Sequence, residues 1–264
     1  MDNTYWLQQT NTKKLFVEVH WSSPLQRNMA GKLAIIGGNV AGFSSVAQAY
    51  TSASNSGAGT IRTLLPDALS KTLKAIMPES EFSPATKSGG FATQSMAQWS
   101  DLGDWSDWLI ISGDLGRNSE TSILLEQFID KNQYSITLMG DSVDLIIASP
   151  LLILNKSKLI VALSLIQLQR LLVAIRYPTA IKSTMSLKQA IDLLHSLTLN
   201  YQFSVITIHE DQILVAKNGQ VSSSLIKTPT NLNPVATSAT VWNMQQTNKP
   251  FEAMTAGIYQ ALYE

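Results

Sequence analysis

Short apolar runs alternate with longer helical segments along most of this chain, and this alternation constrains the fold more than any other feature. The runs are bounded by Gly, Asp or Asn, a pattern typical of a mostly parallel sheet covered by helices. We therefore predict an α/β fold, a three-layer α/β/α sandwich. The predicted strands are Leu33–Ile36, Thr60–Leu64, Trp108–Ser112, Ser135–Leu138, Leu159–Ala162 and Phe203–Thr207.

Several of the segments between these runs begin with a Ser or Asp, which suits helix capping. A further run, Ile213–Ala216, is followed by Asn218-Gly219 and predicts a hairpin strand, so the C-terminal third receives an antiparallel portion. The predicted helices are Ser44–Ser56, Asp67–Ala75, Ser119–Lys131, Leu165–Ile175, Ser186–Leu199 and Pro250–Tyr263.

Length and charge narrow the class of protein. The 264 residues show no linker, so we expect one domain spanning residues 1–264. With 19 basic and 19 acidic residues the net charge is zero, which argues against nucleic-acid or anionic-membrane partners and favours small ligands or proteins. The absence of cysteine excludes disulfides and thiolate chemistry, and the N-terminus lacks a signal pattern, so we expect a cytoplasmic protein.

The apolar stretch Leu145–Ile175 raises the question of a membrane span. Asn155, Lys156 and Lys158 interrupt it before the roughly 20 apolar residues that a span requires. We expect a buried strand and an amphipathic helix there, and no membrane partner.

Two turns directly after predicted strands are candidate ligand sites. Gly37-Gly38-Asn39-Val40-Ala41-Gly42 either lets backbone amides approach a phosphate or is an ordinary strand-to-helix turn. In Ser112-Gly113-Asp114-Leu115-Gly116-Arg117, Asp114 is a candidate general base or magnesium ligand, although capping the turn is the commoner role of such a residue.

Asp141 and Asp144 follow another strand three residues apart, so on a helix they share a face and are candidate ligands of a hydrated magnesium ion. An acidic helix N-terminus, favoured by the helix dipole, explains them equally, and we prefer that interpretation. His20, His195 and His209 have no metal-ligand spacing and are expected to be structural or exposed. No metal site is therefore predicted.

One long stretch, Lys32–Gly59, reads KLAIIGGNVAGFSSVAQAYTSASNSGAG: a strand, a Gly-Gly turn, a long helix and a Gly-Ala-Gly. It resembles the opening of the ADP/ATP-dependent NAD(P)H-hydrate dehydratases. The resemblance continues in TIRTLLPDAL, WLIISGDLGR and PFEAMTAGIY, and covers nearly all of the chain from about Lys32. It implies a ribokinase-like fold and a nucleotide-dependent lyase that repairs hydrated nicotinamide cofactors by phosphorylation and elimination of phosphate.

The resemblance also implies ligands and site residues. ADP or ATP with Mg²⁺ is the implied cofactor, a nucleotide or dinucleotide the implied ligand, and a homo-oligomer the implied assembly; whether any of these is retained stays open. By resemblance the substrate- and nucleotide-binding positions are Gly38, Asn39, Ser45, Gly116, Ser164, Asp211 and Val241.

The family's catalytic aspartate stands in a G-G-T-G-D turn, where it removes a hydroxyl proton. The corresponding stretch here is predicted to be Ala236-Thr237-Ser238-Ala239-Thr240-Val241-Trp242, which places Trp242 at the catalytic position and leaves a following helix about two turns short. An indole cannot accept that proton, and the family's P-H-P turn and nucleotide-loop lysine are also replaced. We therefore expect a catalytically impaired homologue, a pseudoenzyme.

Two other functions stay open. An active kinase or dehydratase of altered specificity would take its base from Asp114, Asp141 or Asp144. A structural or regulatory subunit would use an interface anchored by Trp99, Trp105 and Trp108, although tryptophans are more often core residues. A sugar-isomerase-like phosphate loop at Ser112-Gly113 is disfavoured by the continuous match over Lys32–Gly59.

Overall fold

A ten-stranded sheet forms the centre of the protein in the computed structural model, which describes residues 4–24, 26–182 and 184–264. Its strands are β1 (Trp6–Gln9), β2 (Lys32–Ile36), β3 (Thr60–Pro66), β4 (Glu81–Ser83), β5 (Trp108–Ile111), β6 (Ile136–Met139), β7 (Leu159–Leu163), β8 (Ser204–His209), β9 (Gln212–Lys217) and β10 (Gln220–Leu225). They lie in the order β1-β10-β9-β8-β7-β6-β5-β2-β3-β4. Only β8–β9 and β9–β10 pair antiparallel. The mostly parallel sheet with an antiparallel C-terminal portion is confirmed.

Helices cover both faces of this sheet. They are α1 (Val17–Trp21), α2 (Ser44–Asn55), α3 (Ser70–Leu73), α4 (Met96–Trp105), α5 (Ser119–Lys131), α6 (Asp141–Ile146), α7 (Leu151–Leu154), α8 (Leu165–Ala174), α9 (Leu187–Asn200), α10 (Leu232–Gln245) and α11 (Pro250–Tyr263). Ser164 and Ser186 start α8 and α9 with capping boxes, as the sequence pattern indicates.

Two hydrophobic cores lie on opposite faces of the sheet. On β5, Leu109 and Ile111 join the core beneath α4–α9, while Trp108 and Ile110 join the core beneath α2, α10 and α11. Successive strand residues point to opposite faces, and here both faces are dry. This double burial explains why the strands are continuous apolar runs rather than alternating ones.

The segment between β10 and α11 departs from prediction. The stretch 236–242 was expected to be a turn, followed by a shortened helix, but it lies inside the 14-residue helix α10. The turn assigned to Val241 and Trp242 is therefore wrong. The sequence pattern also did not indicate β1, β4, β10, α1, α4 or α7, and the predicted helix 67–75 is a 3₁₀ turn at 67–69 followed by α3. The acidic helix N-terminus expected at Asp141 and Asp144 is the first turn of α6.

The apolar stretch 145–175 contains the expected buried strand, β7, and the expected helix, α8; the end of α6 and the short helix α7 precede them. Among the described residues, no helix combines the length and the apolar character that crossing a membrane would take.

Candidate functional site

Glycines end the three neighbouring strands β2, β5 and β6, and their backbones pack against one another. A Cβ added to Gly37 would lie 3.1 Å from the Gly113 carbonyl oxygen, and one added to Gly140 would lie 2.8 Å from the Gly113 Cα. A Cβ does not approach backbone to 2.8 Å, and 3.1 Å is tighter than almost all real Cβ contacts; Gly140 also has φ +62°. The two candidate turns and the start of α6 are consequently held in direct contact.

The turn at residues 37–42 has no unused amide. Its six N–H groups donate to Leu64 O, Gly113 O, Gly42 O, Gly89 O, Asn39 Oδ1 and Asn39 O, in chain order. Gly38 adopts φ +85°, which the tight turn requires. A phosphate would find no free donor here, so the geometry favours the ordinary strand-to-helix turn over the phosphate-binding one.

Asp114 links the turn at residues 112–117 to the start of helix α2. Its Oδ2 accepts the Ser45 N–H at 2.8 Å and the Ser44 hydroxyl at 3.3 Å, so it caps the N-terminus of α2. Its backbone has φ +60°, and its carbonyl oxygen accepts Asn39 Nδ2 at 2.6 Å. The capping role has a direct structural basis, and Gly38, Asn39, Ser45 and Asp114 are brought together.

The second turn, unlike the first, leaves donors unused. The N–H groups of Gly113, Asp114 and Leu115 make no hydrogen bond to any residue that the structure describes. The Ser112 hydroxyl is also buried without a partner. Because buried polar groups are normally paired, this loop is where the carboxyl edge of the sheet can accept a ligand or water.

Asp141 and Asp144 lie at the start of α6 but face different partners. Asp141 Oδ2 accepts the Gly116 N–H at 3.4 Å, while Asp144 pairs with Arg170 at 2.6 Å and accepts Gln167 Nε2 at 3.1 Å. The Asp144 charge is thus already compensated, which does not suit a shared magnesium site.

Gln167 connects the next strand end to this group of residues. Its Nε2 also donates to Gly140 O at 3.0 Å, and its Oε1 accepts the backbone and hydroxyl of Ser164. Sequence reasoning placed Ser164 at a binding position; the structure places it at the exposed N-cap of α8. A capping-box pattern, Ser followed three residues later by Gln, was the available signal for this role.

Trp242 and Val241 lie away from this edge of the sheet. Both are buried in the third turn of α10, about 15 Å along the helix axis from its first residue. The Trp242 indole donates to Gln260 Oε1 at 2.7 Å and packs edge-on against His20, at 4.7 Å between ring centroids. Trp242 therefore attaches α1 to the last two helices and is not beside the turns at residues 37–42 and 112–117.

The remaining predicted position, Asp211, lies in the β8–β9 turn. Asp211 is exposed in that turn, and its carbonyl oxygen accepts the Ile226 N–H at 2.7 Å. The N-cap of α10, Asn231, makes no side-chain cap, and the first turn holds no carboxylate. The catalytic aspartate that the family resemblance implies is therefore absent from the start of α10.

The histidines and tryptophans have structural surroundings. Burial lowers the pKa of His20 to about 4, with Lys14 adding to the shift. His195 Nδ1 contacts Gly219 O, and His209 Nε2 contacts Met185 O at 2.8 Å. The Trp99 and Trp108 side chains are core residues, so the predicted interface anchored by them is wrong for these two residues.

Comparison with solved structures supports the fold. No protein-family model and no curated protein matches the sequence. A ribokinase-like superfamily protein from Enterococcus faecalis aligns with a TM-score of 0.70 at 13% identity, over 100% of this chain and 87% of its own. The ADP/ATP-dependent NAD(P)H-hydrate dehydratase of Bacillus subtilis, co-crystallised with ATP and Mg²⁺, aligns at 0.60 and 9%, over 90% and 80%. Adenosine kinase from Anopheles gambiae, in complex with a diadenosine tetraphosphate, aligns at 0.51 and 7%, over 97% and 91%.

These identities are too low to transfer an activity, and they establish the fold alone. The fold of the chain is ribokinase-like, as the sequence resemblance implied. Membership of the dehydratase family stays a prediction.

Proposed function

We propose that this ribokinase-like chain is a divergent homologue of the NAD(P)H-hydrate dehydratases that binds a nucleotide or dinucleotide without transferring a phosphoryl group. Binding would use the carboxyl ends of β5 and β6. The observation that carries the proposal is the cap that Asp114 makes on α2, because a carboxylate holding a helix N-terminus is not free to take a substrate proton.

The other acids support the same conclusion. Asp144 is held by Arg170 and Gln167, and the first turn of α10 has no carboxylate to act as base. Phosphoryl transfer depends on a positioned base and on cations or amides that stabilise charge on the transferred group. A site with its acids engaged in structural contacts would bind such a ligand more readily than it would turn it over.

The unused donors favour an anionic ligand. The amides of Gly113, Asp114 and Leu115 make no hydrogen bond to a described residue, and Arg117 is exposed two residues after Leu115. Backbone amides and a guanidinium are the groups that recognise phosphate oxygens. ADP or ATP with Mg²⁺ is the cofactor that the family would supply; this chain's own contribution would be the open loop and Arg117.

A thermal-shift screen over ADP, ATP, NADH and NADPH tests the binding. A ligand present at 100 times its Kd stabilises the native state by about 2.7 kcal/mol. We expect Gly113→Ala to lose this shift, because its new Cβ lies 2.9 Å from the Ser45 hydroxyl oxygen inside the open turn. Gly42→Ala is the matched control, since its Cβ meets Asp114 at an ordinary 3.7 Å in the closed turn. The absence of a shift with all four ligands would refute binding.

An assay with hydrated NADH and ADP or ATP tests the missing activity. We expect no repair above the uncatalysed rate. Repair at roughly 1 per second, an ordinary enzymatic rate, would contradict the proposal even if the binding result holds.

A second candidate function is an enzyme of altered specificity that uses Asp141 as its base. It is favoured by the contacts of Asp141, whose carboxylate makes one long hydrogen bond, to Gly116 N at 3.4 Å. ATP consumption screened with small alcohols would test it. If activity is found, Asp141→Asn should lower kcat by about 10² or more, whereas Asp114→Asn, which preserves a capping oxygen, should leave kcat nearly unchanged.

A further inference from the structure

A cavity of about 800 Å³ lies at the opposite end of the sheet from the proposed nucleotide site. Residues at the amino ends of β5, β7 and β8 line it, among them Trp108, Ser157 and Gln202, and α10 closes one side with Asn243 and Met244. Its volume falls within the range of small-molecule sites. No predicted site residue lines it.

Lys217, the last residue of β9, is a buried cation in this cavity. The residue is 4% exposed. The ammonium donates to Ser157 O and Gln202 O, each at 2.7 Å, and no described carboxylate lies within salt-bridge distance. An ammonium carries three N–H donors, so one remains.

This arrangement is energetically incomplete. Burial lowers the pKa of Lys217 to about 8, which reflects a charge removed from water without an opposite charge to balance it. Buried charges are normally paired or lost. An anion in the cavity would supply the missing partner and restore the ordinary pKa.

Asn243 adds a complementary demand on the other side of the cavity. The residue is 3% exposed, and its Oδ1 is buried with no donor among the described residues. An unpartnered amide oxygen calls for an O–H or N–H group. Both residues line the cavity, so an occupant that reaches their polar atoms would meet a cationic donor and a neutral acceptor, next to Trp108 and Met244.

We propose that this cavity binds a small hydroxycarboxylate, with its carboxylate on Lys217 and its hydroxyl donating to Asn243 Oδ1. A simple inorganic anion would satisfy only the lysine, and a neutral alcohol only the asparagine. Two other charged residues line the cavity, the exposed Asp107 and Lys158, and Asp107 is already bound to the Lys32 N–H. The site is separate from the carboxyl-end loop, so it can be occupied whether or not a nucleotide binds there.

Isothermal titration at pH 7 with four probes tests this assignment: glycerate, propionate without the hydroxyl, glycerol without the charge, and inorganic phosphate. We expect saturable binding of glycerate, with propionate weaker and glycerol undetectable. Lys217→Met, which keeps the length of the side chain, should weaken glycerate binding about ten-fold or more, as expected for loss of a charge-assisted hydrogen bond. Asn243→Leu should weaken glycerate but not propionate.

Lys158→Met is the matched control, because it removes a lysine from the rim and should leave glycerate affinity within about two-fold. If Lys217→Met does not fold, the pH dependence of the wild-type protein decides instead. Glycerate affinity should fall above pH 8, where the free Lys217 amine loses its proton, and should do so in Lys158→Met as well.

Three results would overturn the proposal. Equal glycerate binding by wild type and Lys217→Met would remove the lysine from the site. Phosphate binding more tightly than glycerate would exclude the hydroxycarboxylate assignment. No saturable binding of any probe would mean that water alone fills the cavity.

Discussion

The polar groups at the two ends of the central sheet differ in which of them have hydrogen-bond or ion-pair partners. At the carboxyl end, Asp114 and Asp144 are bound to a helix start and to Arg170, and every amide of the turn at residues 37–42 is used. At the amino end, the buried Lys217 and Asn243 face a cavity with bonding capacity to spare. Open α/β sheets bind ligands outside their carboxyl ends. In this chain the acids at that end serve the fold and the loop at residues 112–115 leaves polar groups unpaired, whereas the amino end holds a buried cation without a described counter-charge.

Backbone packing explains the difference. Glycines at the ends of β2, β5 and β6 let neighbouring turns touch, so their donors and acceptors find each other across short gaps. At the amino end, Lys217 and residues of α10 line a cavity of about 800 Å³ that no described segment of the chain fills. Turns in close contact can pair their polar groups with one another, whereas polar groups that line a cavity are left for a ligand.

The largest effect is expected for Gly140→Ala at the tightly packed end. Its Cβ would lie 2.8 Å from the Gly113 Cα, and φ +62° is unfavourable for alanine, so we expect a loss of about 3 kcal/mol in the free energy of unfolding. Gly57→Ala is the control, because it shares a positive φ, +82°, with nothing within 4 Å, and should cost about 1 kcal/mol. Urea denaturation measures both. Equal losses would mean that the strand ends are not in close contact.

The next effect concerns Lys217 and pH. The pKa of Lys217 is lowered from 10.5 to about 8 in the folded state, so between these pH values the unfolded chain holds a proton that the folded chain has released. Stability should therefore rise with pH through this window relative to Lys217→Met, by about 2 kcal/mol once the full linkage value of about 3.4 kcal/mol is reduced for solvent screening. Below pH 8 both states are protonated and the difference between the two proteins should be constant.

Urea denaturation of both proteins at pH 7.5, 9 and 10.5 measures this difference, in which the titration of shared groups cancels. Lys158→Met, an exposed lysine at the same cavity, should follow the wild type. Parallel stability profiles for wild type and Lys217→Met would show that the amino end carries no uncompensated charge.

A smaller effect is expected for Asp114→Ala at the carboxyl end. The substitution removes the cap on α2 and should lower the free energy of unfolding by about 1 to 2 kcal/mol. Asp114→Asn keeps an oxygen for the Ser45 N–H and tolerates the positive φ, so its free energy of unfolding should fall by only a few tenths of a kcal/mol. Thermal denaturation of the three proteins would separate a capping role from a free carboxylate, for which Asp114→Asn would be neutral and Asp114→Ala would lose only the about 1 kcal/mol that alanine costs at a positive φ.

The parallel sheet was predictable because its strands are buried on both faces, which leaves continuous apolar runs in the sequence. Two helices match their predicted bounds, Ser119–Lys131 and Pro250–Tyr263. The helix α10 was not predictable in this way. Its buried Thr237 and Thr240 satisfy their hydroxyls on Asn233 O and Ala236 O, so a small, polar and non-periodic segment is buried all round.

The candidate site was predictable only in part. The position of Asp114 after a strand indicated a turn-capping role, but its partner Ser45 lies 69 residues away, a pairing that follows from the sheet order. Lys217 gave no signal, because a lysine before Asn218-Gly219 is typical of an exposed hairpin end. Its burial goes with the hydrogen bonds of its ammonium to Ser157 O and Gln202 O, 60 and 15 residues away in the sequence, which a local pattern does not reveal.

The smallest effect tests whether the pairing of Asp144 with Arg170 at the carboxyl end stabilises the fold or only keeps this carboxylate from acting as a base. Arg170→Gln removes an ion pair with Asp144 in which the arginine side chain is 53% exposed, and exposed pairs of this kind contribute about 0.5 kcal/mol. We expect a loss of that size in urea denaturation at low salt, shrinking in 1 M NaCl because salt screens the pair. Gln167 still donates to Asp144 in this variant, so the carboxylate stays placed and no phosphoryl transfer should appear. A loss several times larger and independent of salt would mean that Asp144 is a structural centre of this edge, comparable with Gly140, rather than an acid held by a weak surface contact.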